Sequence, residues 1–324
     1  MTRFLVTGAA GHLGEALVRV LREQGDEVVG LDLLASPWTD VRASITDRAA
    51  LGAACAGVDH VLHTATLHKP HVGSHPRQAF VDTNVSGTLA VLEAARDAGA
   101  RSVVVTSSTS AFGRVLSPEP GGPAVWVTED VPHRVRNVYG ATKTAAEDLA
   151  ELAAGDGLPV VVLRTSRFFP EADDDADRRA GFVDAALKAQ EYLYRRVDVE
   201  DVVDVHLRAA AQAPRLGFAR YVVSATTPFT PDEAAALGAD APAVVRAHFP
   251  DETRAFDERG WALLPRLDRV YDNTRARAEL GWVPRHDFVT AARRALDDGD
   301  PRSDLARTIG AKGYHAVPTG VYTR

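Results

Sequence analysis

The stretch Thr7-Gly8-Ala9-Ala10-Gly11-His12-Leu13-Gly14 decides the fold. It joins residues 3–7, which read as a β-strand, to residues 13–24, whose apolar spacing predicts a helix closed by Gly25. Gly8 permits a tight turn, Gly11 lets a pyrophosphate approach the backbone, and Gly14 lets the helix pack on the strand. The N–H groups at the start of that helix, and its positive end, then face the phosphates. Asp32 ends the next strand, 18 residues after Gly14. A carboxylate there accepts ribose hydroxyls and repels a 2′-phosphate. Leu33 and Leu34 follow it rather than an arginine, so the pattern favours NAD over NADP.

Working outward, short apolar runs alternate with helical patterns. Strands are expected over 41–45, 58–64, 101–107, 159–164 and 221–224, with helices over 78–98 and 138–154. Val103-Val104-Val105 and Val160-Val161-Val162 are apolar on consecutive positions, as in strands covered by helices on both faces. The fold class is α/β, with a doubly wound parallel sheet. Beyond residue 168 the pattern changes. Residues 171–179 are acidic, and Asp173-Asp174-Asp175 reads as a solvated loop. Residues 227–269 carry no strong strand signal, 274–281 and 288–297 look helical, and 313–324 show no clear period. The expected organisation is a cofactor domain of residues 1–167 with 197–226 returning to it. Residues 168–196 and 227–324 make a smaller, mostly helical C-terminal substrate domain.

The chain has 324 residues, 45% of them apolar and 25% charged, which suits a soluble globular protein. A net charge of −7 disfavours a nucleic-acid footprint. No apolar run approaches the roughly 20 residues of a membrane span. The single cysteine, Cys55, excludes an internal disulfide and a cysteine-based metal site. Residues 1–7 lack the features of a secretory leader, so a cytoplasmic location is expected.

Only four lysines occur: Lys69, Lys143, Lys188 and Lys312. One of them stands four residues after Tyr139, on the same face of an expected helix. With seven tyrosines and four lysines, chance supplies roughly 0.09 such pairs. A phenol titrates near 10 and is a poor base at neutral pH. A nearby ammonium favours the phenolate, which then takes a proton from a hydroxyl as hydride leaves its carbon. Thr106-Ser107-Ser108-Thr109-Ser110 closes the fifth expected strand. A hydroxyl at that edge holds the reacting oxygen, although such runs are also ordinary turn chemistry.

With these residues in place the chain resembles the extended short-chain dehydrogenases/reductases of the NAD-dependent epimerase/dehydratase family. The shared pattern adds Asn84-Val-x-Gly-Thr, Ser107-Ser108…Phe112-Gly113, Leu163-Arg164, residues 197–202 and Asn273-Thr274…Leu280-Gly281-Trp282, and covers roughly residues 3–290. The resemblance implies a Rossmann domain and a catalytic set of Ser108, Tyr139 and Lys143. It implies cofactor contacts at Gly8, Gly11, His12, Leu13, Gly14, Asp32, Ser44, Ile45, Thr64, Ala65, Thr66, His68, Asn84, Tyr139, Lys143 and Ser166. Substrate contacts are expected at Ser108, Thr109, Ser110 and Arg167. It implies NAD as cofactor, a small sugar-like substrate and a homodimer, with neither nucleic acid nor membrane as partner.

Three departures bear on substrate. Arg167 stands where the family usually has asparagine, and offers either a fork for a carboxylate or phosphate or a structural pair with the 173–177 loop. The segment 181–196 is short, which suggests a smaller substrate than a nucleotide sugar, or a nucleotide held differently. Thr109-Ser110 replace the Asp-Glu pair of dehydratases. His68, His71 and His75 do not follow a zinc spacing, so no metal is expected. The leading function is an NAD-dependent oxidoreductase or epimerase at a secondary alcohol of a sugar-like substrate. A UDP-sugar 4-epimerase and a non-catalytic dinucleotide-binding regulator are the alternatives.

Overall fold

A computed structural model of the chain describes residues 1–119, 121–173 and 175–312. Among the described residues, seven parallel strands form the main sheet. They are β1 (Arg3–Thr7), β2 (Glu27–Asp32), β3 (Val41–Arg42), β4 (His60–His63), β5 (Ser102–Ser108), β7 (Val160–Thr165) and β8 (Phe218–Val223). Their order is β3-β2-β1-β4-β5-β7-β8. The chain thus turns back on itself between β1 and β4, and such a reversal leaves a crevice at the carboxyl edge. The Val103–Val105 and Val160–Val162 runs pair in register at the sheet centre and are fully buried. The sheet is the doubly wound α/β architecture expected.

Both faces are covered. On one lie α1 (His12–Glu23), α8 (Val199–Leu216), α11 (Thr274–Leu280) and α13 (Asp304–Ile309), packed through Leu17, Leu21, Val202, Leu280 and Ile309. On the other lie α2 (Arg48–Cys55), α4 (Thr88–Asp97) and α5 (Val138–Gly155). A separate core joins α7 (Asp184–Glu191), α9 (Ala234–His248), α10 (Pro250–Glu258) and α12 (Phe288–Asp298). α11 and α13, grouped by sequence with the smaller domain, therefore pack on the main sheet. Residues 313–324, assigned to the smaller domain by sequence, lie outside the described residues.

Several elements differ from expectation for local reasons. The strand expected over 41–45 stops at Arg42, because the Ser44 hydroxyl accepts from the Thr46 N–H and turns the chain. The last strand of the main sheet, β8 at its edge, starts earlier than residue 221, since Phe218 pairs with Val160. The helix expected over 78–98 is three joined pieces: α3 (Arg77–Phe80), a wide π turn over Val81–Gly87, and α4. The wide turn buries Asn84, whose amide bonds Thr66, Leu67 and Thr142. The acidic loop is not simply solvated. Asp173 is buried and ion-paired to Arg195, and Asp175 caps α6 (Ala176–Gly181) through the N–H groups of Asp177 and Arg178. Asp174 lies outside the described residues. A short parallel ribbon of β6 (Val125–Val127) and β9 (Arg269–Tyr271) was not foreseen. Three residues per strand are too few to carry a periodic signal.

Candidate active site

A cavity of about 520 Å³ follows the carboxyl edge of the sheet across the switch point. Its near end is the β1–α1 turn. Gly8 has φ +77°, and a Cβ there would sit 2.8 Å from the Ala65 nitrogen. A Cβ on Gly14 would lie 1.9 Å from the Gly8 carbonyl oxygen, so only glycine lets α1 start this close to the strand. The leading N–H groups of α1 have no partner within their own helix. Asp32 reaches back across the turn: one carboxylate oxygen accepts from the Ala10 N–H at 3.0 Å, the other from the Leu34 N–H at 2.9 Å. Gly14→Ala is therefore expected to force the turn open. A steric insertion of this kind costs about 1–3 kcal/mol, and dinucleotide affinity, measured by calorimetry, should fall at least tenfold.

Gly8, Gly11, His12, Leu13, Gly14, Asp32, Ser44, Ile45, Thr64, Ala65, Thr66, His68 and Ser166 all line this cavity. Two buried polar atoms there, His12 Nε2 and Ser166 Oγ, have no hydrogen-bond partner among the described residues. Asn84 does not line it. Its amide instead holds Thr66 and Leu67 from behind. Residues 310–312 cross the same end. Gly310 offers its carbonyl to His12 Nδ1 at 3.1 Å, and Lys312 pairs with Glu15 and donates its N–H to Glu171.

The middle of the cavity is built by the end of β5 and the start of α5. Ser108, Thr109, Ser110 and Tyr139 line it together. The Asn137 side chain caps α5 by accepting from the Gly140 N–H at 2.9 Å, and so fixes the helix one residue before Tyr139. Gly140 lets the helix approach: a Cβ there would be 2.6 Å from the Ser110 carbonyl oxygen. Burial pushes the Tyr139 phenol up to about 12; the Ser108 hydroxyl pulls it down, and the Glu147 carboxylate pushes it up. Lys143 does not line the cavity. Its ammonium donates to the Thr106 carbonyl at 2.7 Å, and burial lowers it to about 8 against the opposing pull of Glu147. The protein by itself thus keeps Tyr139 as a neutral phenol. Burial, Ser108 and Glu147 set that state, and Lys143, expected from the sequence to depress the phenol, is not among the influences on it.

The far end is strongly charged. Arg136, Arg167, Arg178, Arg195 and Arg269 line it with Asp173, Asp175 and Asp268. Arg167 is largely a structural brace: its Nη2 donates to the carbonyls of Glu171 and Ala172, both at 2.8 Å, and its guanidinium lies over Phe169. The charged groups at 136, 195 and 269, and Tyr271, had not been singled out as site residues by sequence. Arg136 and Asn137 stand just before Tyr139 and were findable from it. Arg269 and Tyr271 belong to the unforeseen ribbon.

A family model described as the NAD-dependent epimerase/dehydratase family matches residues 4–223. The chain belongs to this family. Across 322 residues it is 33% identical to the UDP-glucose 4-epimerase of Mycolicibacterium smegmatis, covering 87% of this chain and 93% of that protein. It is 36% identical over 171 residues to sterol demethylase protein B of Methylococcus capsulatus. There the match covers 49% of each protein, so the chain spans about half the length of that relative. A solved short-chain dehydrogenase/reductase superfamily protein from Agrobacterium tumefaciens with bound NAD shares the fold. Its TM-score is 0.65 at 24% identity, covering 94% of this chain and 97% of that one.

Membership of the epimerase/dehydratase family bears out the resemblance read from the motifs, and that family is NAD-dependent. The residues present suit that cofactor: a glycine cradle that no side chain could share, a carboxylate at the end of β2, and two orphaned buried polar atoms in the cavity wall. No helix among the described residues is long and apolar enough to cross a membrane.

Proposed function

We propose that this chain is an oxidoreductase or epimerase that moves hydride at a secondary alcohol of a sugar or sugar-like substrate. The observation that carries the reading is the meeting of Ser108 and Tyr139 in one cavity with the glycine turn and Asp32. The residues named above, from Gly8 to Ser166, hold the cofactor, with Asn84 acting by bracing the Thr66–Leu67 backbone. NAD, when bound, supplies the hydride acceptor. Tyr139 takes the hydroxyl proton in oxidation and returns it in reduction. Ser108 orients the reacting oxygen. Lys143, pinned on the Thr106 carbonyl, places a positive charge behind the phenol. Thr109 and Ser110 face the substrate. Residues 1–167 with 197–226 hold the cofactor, and 168–196 with 227–312, apart from α11 and α13 on the main sheet, form the substrate side. A cytoplasmic homodimer goes with this reading, and light scattering on the purified protein tests the dimer.

A UDP-sugar 4-epimerase is the second reading. It is favoured by the relative from M. smegmatis that matches nearly end to end. A sterol-like substrate, suggested by the M. capsulatus relative, fits less well, because burying an apolar ring system against this many arginines and aspartates leaves charges unsatisfied. The test is incubation with NAD and a panel of free sugars, uronates, nucleotide sugars and a hydroxysteroid, following NADH absorbance and product stereochemistry. Turnover confined to the steroid overturns the first two readings.

Asp32→Ala is expected to narrow the preference for NAD over NADP. A hydrogen bond to a charged group contributes about 1.5–3 kcal/mol, so the ratio of the two dissociation constants should shrink by about ten- to a hundredfold. NAD affinity should fall as well, since the Ala10 and Leu34 N–H groups lose their acceptor.

A further inference from the structure

We propose that His12 takes up a proton from solvent when the dinucleotide binds, so that its buried ring nitrogen Nε2 becomes a donor to the diphosphate. The inference rests on the cofactor placement proposed above and adds a pH control to it.

His12 opens α1 and is 2% exposed. It lines the cavity beside Gly11 and Leu13, whereas Gly310 does not. Nδ1 lies 3.1 Å from the Gly310 carbonyl oxygen. A carbonyl only accepts, so Nδ1 carries a hydrogen. In the neutral ring the other nitrogen, Nε2, is then a bare acceptor. That nitrogen is buried and has no partner among the described residues.

The surroundings fix this orientation. Phe168 stacks on the ring, with centroids 6.1 Å apart and planes 26° apart. The carbonyl that holds Nδ1 is anchored in turn. Two residues on, the Lys312 ammonium pairs with Glu15, and the Lys312 N–H donates to Glu171 Oε1 at 3.2 Å. Turning the ring over would forfeit the Gly310 bond.

A diphosphate at neutral pH offers only acceptor oxygens. Against the Nε2 lone pair they make no bond. Against a protonated Nε2 they accept a charge-assisted one, and the Gly310 bond is kept. The protein by itself keeps the ring neutral, because burial, the largest influence, lowers it below its ordinary value. Glu171, in the chain after β7, and Asp198, at the head of α8, favour the charged ring, while Lys312 opposes it. On α1 itself, Glu15 is taken up by Arg19 and Lys312. A diphosphate adds the negative charge that tips this balance. By reciprocity, it raises the proton affinity of the ring by the same factor by which protonation raises dinucleotide affinity.

The test is calorimetric titration of the full chain with NAD and with ADP-ribose, which carries the diphosphate without the nicotinamide. Each titration is run at neutral pH in Pipes, Hepes and Tris, whose ionisation heats differ, so the dependence of the observed heat on buffer counts protons. Both ligands should take up protons in equal measure, up to one per site. Both affinities should fall as pH rises from 6 to 8, by up to about tenfold per pH unit. His12→Gln keeps an amide that donates without titrating, and should bind ADP-ribose with no uptake and a flat pH profile. His12→Phe keeps the ring stack and should lose the uptake as well. Absence of uptake in the wild type, or uptake that survives in either folded variant, overturns the proposal. Uptake with NAD alone also overturns it, since the proton would then belong to the nicotinamide end, at Tyr139 or Lys143. Failure of both ligands to bind would overturn the cofactor placement itself, before any proton is counted.

Discussion

Replacement of Tyr139 by phenylalanine is expected to lower kcat by about 10²- to 10⁴-fold, the usual contribution of a positioned acid–base group. NAD affinity should change little, because the buried ring is kept and only the hydroxyl is lost. Burial holds the phenol near 12, so the neutral form dominates at physiological pH. Alcohol oxidation, which needs the phenol to accept a proton, should therefore accelerate as pH rises above neutrality. Carbonyl reduction, which needs the phenol to donate one, should hold its rate at lower pH. Initial rates in both directions, from pH 6 to 10, check the sign. Unchanged turnover in Tyr139→Phe would remove this residue from the chemistry.

The second large effect concerns stability. Glu147 sits one helical turn beyond Lys143 and is buried. It accepts from Arg164 Nη2 at 2.7 Å and from Arg164 Nε at 3.1 Å, and the Ser107 hydroxyl also bonds it. Arg164 in turn lies over the Phe112 ring and donates to the Glu129 carbonyl. The pair thus ties α5 to β5 and β7 directly beneath the cavity. Removing one partner leaves a buried charge uncompensated, at about 3–5 kcal/mol. Glu147→Ala should lower the midpoint of thermal unfolding by about 10 °C for a chain of this size. A paired Glu147→Met, Arg164→Met variant should recover much of that loss, since buried ion pairs are often replaceable by apolar residues. Glu147→Gln gives a separate reading. The carboxylate raises both Tyr139 and Lys143, so its neutralisation should move the oxidation profile to lower pH. An unmoved profile would confine Glu147 to a structural role.

Much of the fold was legible because the decisive signals are local. The glycine spacing after residue 7, the valine triplets and the Tyr139–Lys143 pair each act within one turn or one strand. What escaped depends on contacts distant in sequence. Arg269 reaches the cavity only because β9 pairs with β6, which lies more than 140 residues earlier. Asp173 is buried because Arg195 reaches it from beyond α7. Desolvation of Tyr139 and Lys143 likewise depends on the whole surrounding core, so their proton affinities were not readable from the four-residue interval between them.

The wide turn over Val81–Gly87 makes the helix before β5 unusually sensitive to chain length. Deleting one residue there would restore regular winding with the flanks near their present phase, but it would remove the bulge that turns Asn84 inward. Asn84 would then leave the Thr66–Leu67 backbone it supports. Drift among descendants of this gene should therefore tolerate exchanges along that stretch more readily than gaps.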